Sequence, residues 1–282
     1  MANNNNEPIN LNSINEAVCY WLGYQFTIGR ERLIHEASLR YPIADAITSG
    51  KIAISKIYLE KGHPYFEDKV VDIFLLNEKE SNISMESIDL EAISAIFELK
   101  LSKVDTGNQF GEEKKRVVDD ILRLAYFNLY SKKDAYFLIC GTYADFKNYF
   151  IGDKIEKTTI KKDDIDILQT NERQGTSFIN QVEFINPKEW KTENSLYKDY
   201  FNFEVGSQKI YTFKIDENEI DDTKKQKKFG LKSFQERYII KEKLIEYEEK
   251  LSIKTTCMAI TPFESIPSRM HACAIWKVEA EN

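Results

Sequence analysis

Three charged residues interrupt two of the most apolar runs in the chain. Glu98 and Lys100 lie in SAIFELKLSK, residues 94–103, and Asp72 lies in KVVDIFLL, residues 69–76. In an extended strand, residues two apart point the same way, so Glu98 and Lys100 share a face while Phe97, Leu99 and Leu101 pack on the other. The Glu-x-Lys triplet also begins at 67, 112, 113, 189 and 248, in charged or turn-like settings. Only at 98 does an apolar strand make the charges expensive to bury without a purpose. Consecutive strands of a meander would lay Asp72 beside them. Paired carboxylates repel and take up protons unless a divalent cation neutralises them, and hard oxygen ligands favour Mg²⁺ or Mn²⁺. A cation held by Asp72, Glu98 and the carbonyl of Leu99 would polarise a phosphate and acidify a bound water, with Lys100 orienting that water or offsetting transition-state charge. That is the chemistry of phosphodiester hydrolysis. Plainer readings exist: Asp72 as a strand-end cap for a neighbouring amide, and Glu98 with Lys100 as an ion pair on an exposed sheet face.

The elements that must position these residues follow from periodicity. Residues 12–26 and 30–48 have helix-like apolar spacing, with Pro42 expected to break or kink the second. KIAISKIYLEK (51–61) alternates with period two, KVVDIFLL is a short β-branched run, and AISAIFELKLSK (92–103) is a third strand. Next, residues 112–131 place Val117, Val118, Ile121, Leu122, Ala125 and Leu129 at helical spacing. DAYFLICGTY (134–143) closes the series as a buried strand. The predicted order is helix, three strands in a meander, helix, strand. Beyond residue 150 the pattern gives strands at SFINQVEFIN, KIYTFKID, IKTTCMAIT and HACAIWKVE and a helix over roughly 232–250. No repeat or Gly/Pro-rich linker divides the chain.

With VVDIF followed by FELK inside that order of elements, the sequence resembles the PD-(D/E)XK nuclease superfamily. In that family an Asp lies in the second core strand and the (D/E)XK triplet in the third; Asp72, Glu98 and Lys100 match in order and position, and Val71 stands where the motif has Pro. The resemblance covers residues 12–141. It implies an α/β (α+β) fold with a restriction-endonuclease-like core over residues 1–150 and a mixed central sheet. Residues 151–282 would form a C-terminal α+β extension, docked to the core or part of the same domain. It further implies Asp72, Glu98, the Leu99 carbonyl and Glu36 as metal ligands, with Lys100 catalytic. Glu36, in LIHEASLRYP, stands for the Glu that many members bring from the helix before the first strand; Glu31, His35 and Arg40 are alternatives on the same segment. The implied activity is a Mg²⁺- or Mn²⁺-dependent endonuclease acting on DNA in bacterial restriction or anti-phage defence, as a homo-oligomer or with a protein partner of the defence system. The alternative is a non-catalytic nucleic-acid-binding or assembly module that kept the fold.

Composition sets the outer bounds. The chain has 282 residues, 42% hydrophobic and 12% aromatic, enough for a sizeable core. No apolar run approaches a membrane span and the N-terminus lacks the order of a signal peptide, so a cytoplasmic location is expected. Cys19, Cys140, Cys257 and Cys273 are scattered, which suits reduced core thiols, and His271 with Cys273 is too small a set for zinc. A net charge of −7 argues against a uniformly basic surface. Lys224, Lys225, Lys227 and Lys228, followed by Lys232 and Arg237, form a local basic stretch, read either as a solvated face or as a phosphate-tracking patch. Lys115, Asp119 and Arg123, four residues apart, read as a salt-bridged solvent face, and His63 as a structural turn residue. There is no GxSxG elbow, Walker A loop, GxGxxG or HExxH.

Overall fold

The computed structural model describes residues 9–77, 89–102, 110–142, 158–160, 182–184, 200–215, 220–222, 227–261 and 271–281. Helix α1 (Leu11–Thr27) begins where Asn10 Oδ1 accepts the Ser13 amide at 3.1 Å. It buries Leu11, Ile14, Val18, Cys19 and Leu22, one face at helical spacing. The helix expected over 30–48 is instead two 3-10 turns, Glu31–Leu33 and Glu36–Leu39, leading into α2 (Arg40–Ser49). Pro42 breaks nothing, because it occupies the first turn of α2, where amide hydrogens have no intrahelical acceptor. Lys51, in the left-handed region at φ 70°, turns the chain out of α2. The strand expected over 51–61 therefore starts only at Ile57, after a 3-10 turn at Ile54–Lys56.

Strands β1 (Ile57–Gly62), β2 (Val70–Leu76) and β3 (Ile93–Ser102) form an antiparallel meander. Helix α3 (Phe110–Ser131) then crosses over to β4 (Asp134–Thr142), which pairs parallel to β3. β4 lies so close to β3 at Gly141 that an added Cβ would come within 2.6 Å of the Ser102 carbonyl oxygen. β5 (Thr158–Ile160) pairs with β6 (Val182–Phe184), the described part of the strand expected at SFINQVEFIN. β7 (Gln208–Lys214) follows, then the small pair β8 (Ile220–Asp222) and β9 (Lys227–Phe229), α4 (Leu231–Arg237), β10 (Lys250–Ile260) and β11 (His271–Glu281).

One mixed sheet runs in the order β1-β2-β3-β4-β11-β10-β7, making the fold α+β. The C-terminal strands thus continue the sheet that the first half begins. The helix expected over 232–250 ends at Arg237 because other backbone bonds take over. The Glu67 amide donates to the Ile239 carbonyl at 2.8 Å and the Lys241 amide to the Tyr65 carbonyl at 2.9 Å, drawing residues 239–241 into an extended path.

Alternation along the strands divides the core in two. Ile73, Leu75, Phe97, Leu99, Leu138 and Ile275 face α1 and α2, while Phe74, Ile96, Phe137, Ile139 and Trp276 face α3 and α4. All four cysteines are buried free thiols. Among the described residues no helix is long and apolar enough to cross a membrane.

Candidate active site

The β2–β3 register pairs Ile73 with Phe97, and one further step sets Asp72 against Glu98. The ladder to β2 ends at Phe97, and the Asp72 side chain takes over: its Oδ2 accepts the Leu99 amide at 2.8 Å. The plainer expectation of an amide cap is therefore also met. Asp72 Oδ1 accepts from Arg40 Nε at 3.0 Å and Nη2 at 2.5 Å, and Arg40 Nη1 reaches Glu60 Oε1 at 2.6 Å.

Glu98 and Lys100 fall on the α3 side of β3, with Ile96. They are 3% and 7% exposed, which removes the expectation of an ion pair on an open sheet face. Lys100 Nζ sits 3.2 Å from Glu36 Oε2 and 3.1 Å from Asp120 Oδ2. Arg123 Nη2 lies 2.5 Å from Asp120 Oδ1. Arg123 Nη1 donates to the Val70 carbonyl at 3.0 Å, so its approach to Glu98 Oε1 at 3.1 Å is ionic and not directed, and that buried oxygen accepts no hydrogen bond.

The structure thus brings Glu36, Asp72, Glu98 and Lys100 together at the point where the 3-10 turn before α2, the β2–β3 ladder and α3 meet. It adds Arg40, Asp120 and Arg123. The expected solvent face of α3 is a correction: Asp119, Asp120 and Arg123 are all buried, and Asp119 pairs with Arg237 of α4 at 2.6 Å. No period within α3 signals this, since Val117, Val118, Ile121, Leu122, Leu124 and Ala125 occupy one side of the helix and Asp119, Asp120 and Arg123 the other. Of the alternatives to Glu36, Arg40 enters the site as the partner of Asp72, whereas His35 Nδ1 lies 3.2 Å from Ser38 Oγ within its own turn. His63 is buried, with Nδ1 accepting the Tyr65 amide at 3.1 Å, and burial, followed by the charges of Arg123 and Lys241, holds it well below the usual imidazole range.

The electrostatics follow from four acids facing three cations in little solvent. Burial pushes Glu98 well above the usual carboxylate range, Arg123 opposing it and the charges of Asp120 and Asp72 adding to it. Burial would also raise Asp120, but Lys100 and Arg123 together outweigh it and hold that carboxyl down. Glu36, 40% exposed at the mouth, is raised by burial against the pull of Lys100.

The donor left open to a divalent cation is Glu98. Glu98 offers an unbonded buried oxygen and favours a proton in the absence of further positive charge, which is the need a hard cation meets. Both oxygens of Asp72 are already hydrogen-bonded, so an ion would use their remaining lone pairs or displace Arg40. Among the described residues no three His, Cys, Asp or Glu side chains form a ready-made metal cage.

Lys224 and Lys225 lie outside the described residues. Lys227 and Lys228 stand on β9, in register with Asp222 and Asp221 of β8. Compared with protein-family models, curated proteins and solved structures, the chain matches none.

Proposed function

We propose that this chain is a metal-dependent nuclease of the PD-(D/E)XK type, hydrolysing phosphodiester bonds in DNA in a bacterial restriction or defence role. The observation that carries the reading is the convergence of Asp72, Glu98 and Lys100 beside Glu36 on a β1-β2-β3-β4 arrangement with a helical crossover into a parallel fourth strand. This is the placement that the sequence resemblance demands, and burying these charges has a cost that a purely structural role would not justify.

Asp72 and Glu98, with the Leu99 carbonyl, would hold a Mg²⁺ or Mn²⁺ ion. When bound, it would supply charge to a scissile phosphate and acidify a water. Arg40 pairs with Asp72, and Arg123 offsets part of the charge on Glu98, whose carboxyl burial still raises. Lys100 Nζ, held between Glu36 and Asp120, presents a fixed positive charge where a phosphate oxygen or an attacking water would sit. Glu36, partly exposed and raised, can hold a proton at its Oε atoms at the mouth.

The test is cleavage of DNA with and without Mg²⁺. Asp72→Ala and Glu98→Ala should abolish cleavage and weaken metal binding in calorimetry. Lys100→Ala should keep the metal and lose roughly 10² to 10³ in rate, the scale of one preorganised electrostatic group. Chelator-resistant cleavage by Glu98→Ala would sink the reading. A second reading, a non-catalytic nucleic-acid-binding or assembly module, is favoured by the way Arg40 already occupies Asp72. It would be adopted if the wild type cleaved nothing and bound no divalent metal.

A further inference from the structure

Where β2 ends and β3 and β4 begin, a cleft of about 910 Å³ opens between the start of α1, the turn after α2 and the sheet. Its floor is apolar: Leu11, Leu75, Ala95 and Tyr136 are buried, and Ile52 and Met258 pack beside them. These side chains belong to the layer facing α1 and α2. Ala95 shares the face of Phe97 and Leu99, so the cleft lies on the opposite side of the sheet from Glu98 and Lys100. It is also displaced along the strands, since Leu75 follows Asp72 by three residues and Ala95 precedes Glu98 by three, about 10 Å in each case. The cleft is therefore separate from the carboxylate cluster.

The charges around that floor have one sign. Lys51, Lys56, Lys132 and Lys133 line the cleft against a single acid, Asp134. That acid is already engaged, its Oδ1 pairing with Lys277 at 2.9 Å and its Oδ2 accepting the Tyr136 hydroxyl at 3.2 Å. Lys133 is engaged as well, donating to the carbonyls of Leu90 at 2.5 Å and Glu91 at 2.9 Å. Lys56 and Lys132 are not: among the described residues neither ammonium meets a carboxylate. They repel each other across the hollow, and an anion between them removes that repulsion.

We infer that this cleft binds a small phosphorylated molecule with an apolar body, of the size and chemistry of a nucleotide. Its phosphates lie among Lys51, Lys56 and Lys132, and its base lies on the apolar floor. The inference uses no residue of the nuclease reading and does not rest on it. Sign decides the head group, because lysines bind phosphate as point charges and this lining repels a cation. The floor decides the body, because a bare anion would leave buried apolar surface facing water. Size decides against a polymer: the volume is that of a site for one small ligand, whereas a strand needs a basic track running on beyond it.

The test is calorimetric titration of the full chain, at low salt and without divalent metal, with the four ribonucleoside triphosphates, inorganic pyrophosphate and the nucleoside of whichever triphosphate binds best. At least one triphosphate should bind, and pyrophosphate and the nucleoside should each bind at least about tenfold more weakly, since each fills half of the cleft. Lys56→Gln and Lys132→Gln should each lower triphosphate affinity about tenfold, the scale of one charge-assisted contact. Ala53→Glu puts an acid at an exposed position of the lining and should weaken the triphosphate while leaving the nucleoside unaffected. Thermal melts check that each variant folds. Binding of none of the four triphosphates, pyrophosphate binding as tightly as the best of them, or affinity indifferent to both lysine substitutions would overturn the inference. So would a short DNA strand that displaces the bound triphosphate at lower concentration, since the lysines would then belong to the path of a strand.

Discussion

On the side covered by α1 and α2, the central sheet presents Ile73, Leu75, Phe97, Leu99, Leu138 and Ile275, and its polar groups include the thiols of Cys140 and Cys273, opposite each other on β4 and β11, the Tyr136 hydroxyl, the Thr261 hydroxyl bonded to Asn15 and Cys19 of α1, and His271 against the ring of Phe26. On the side covered by α3, the same β3 presents Glu98 and Lys100 to Asp120 and Arg123. Solvent is excluded from both. The apolar side gains from every ångström of contact and asks nothing of geometry beyond fit. The charged side is held only while each ion keeps its partner, because an unpaired buried charge costs far more than a paired one returns.

Removing one ion should show the largest difference between the sides. Arg123→Met leaves Glu98 and Asp120 facing each other without their shared guanidinium, and urea unfolding at neutral pH should register a loss of about 3–5 kcal/mol. Adding Glu98→Gln to that variant should recover part of it. A loss below about 1 kcal/mol, the range of exposed pairs, would mean that water reaches these charges and that the contrast between the sides is false.

Next in size is a pH effect confined to the α3 side. Burial, against the pull of Arg237, raises Asp119 from 3.8 to about 6. The folded chain then holds this proton more tightly than the unfolded one, so the group contributes stability below pH 4 that is lost as pH rises through about 6. Asp119→Asn should flatten the unfolding free energy across that window by about 3 kcal/mol. Equal slopes for the variant and the wild type would show that the Asp119–Arg237 pair is effectively solvated.

The smallest expected effect sharpens the apolar side. Ile275→Val removes one methylene from a fully packed position and should cost about 0.5–1.5 kcal/mol. The cost should be the same from pH 5 to 8, since no titrating group depends on it. A pH-dependent cost would couple the two sides through the sheet.

The sequence alone determined the main elements and the centre of the candidate site. α1, β2, β3, α3 and β4 were readable because each carries its own periodicity, and a local pattern reports a local conformation. Asp72, Glu98 and Lys100 stood out because charge inside an apolar strand is costly enough to be visible without knowing its neighbours. Tertiary structure decided the rest. Whether Asp119, Asp120 and Arg123 face water depends on α4 and the segment around Tyr238 covering the outer side of α3, which no period within α3 can reveal. The helix expected over 232–250 stops at Arg237 because residues 65–67 offer its backbone better partners, and those residues lie far away along the chain. Arg40 holds Asp72, and Glu36 meets Lys100, across separations of 32 and 64 residues. Ion pairs form where elements converge, and convergence is a property of the packed layers and not of any one of them.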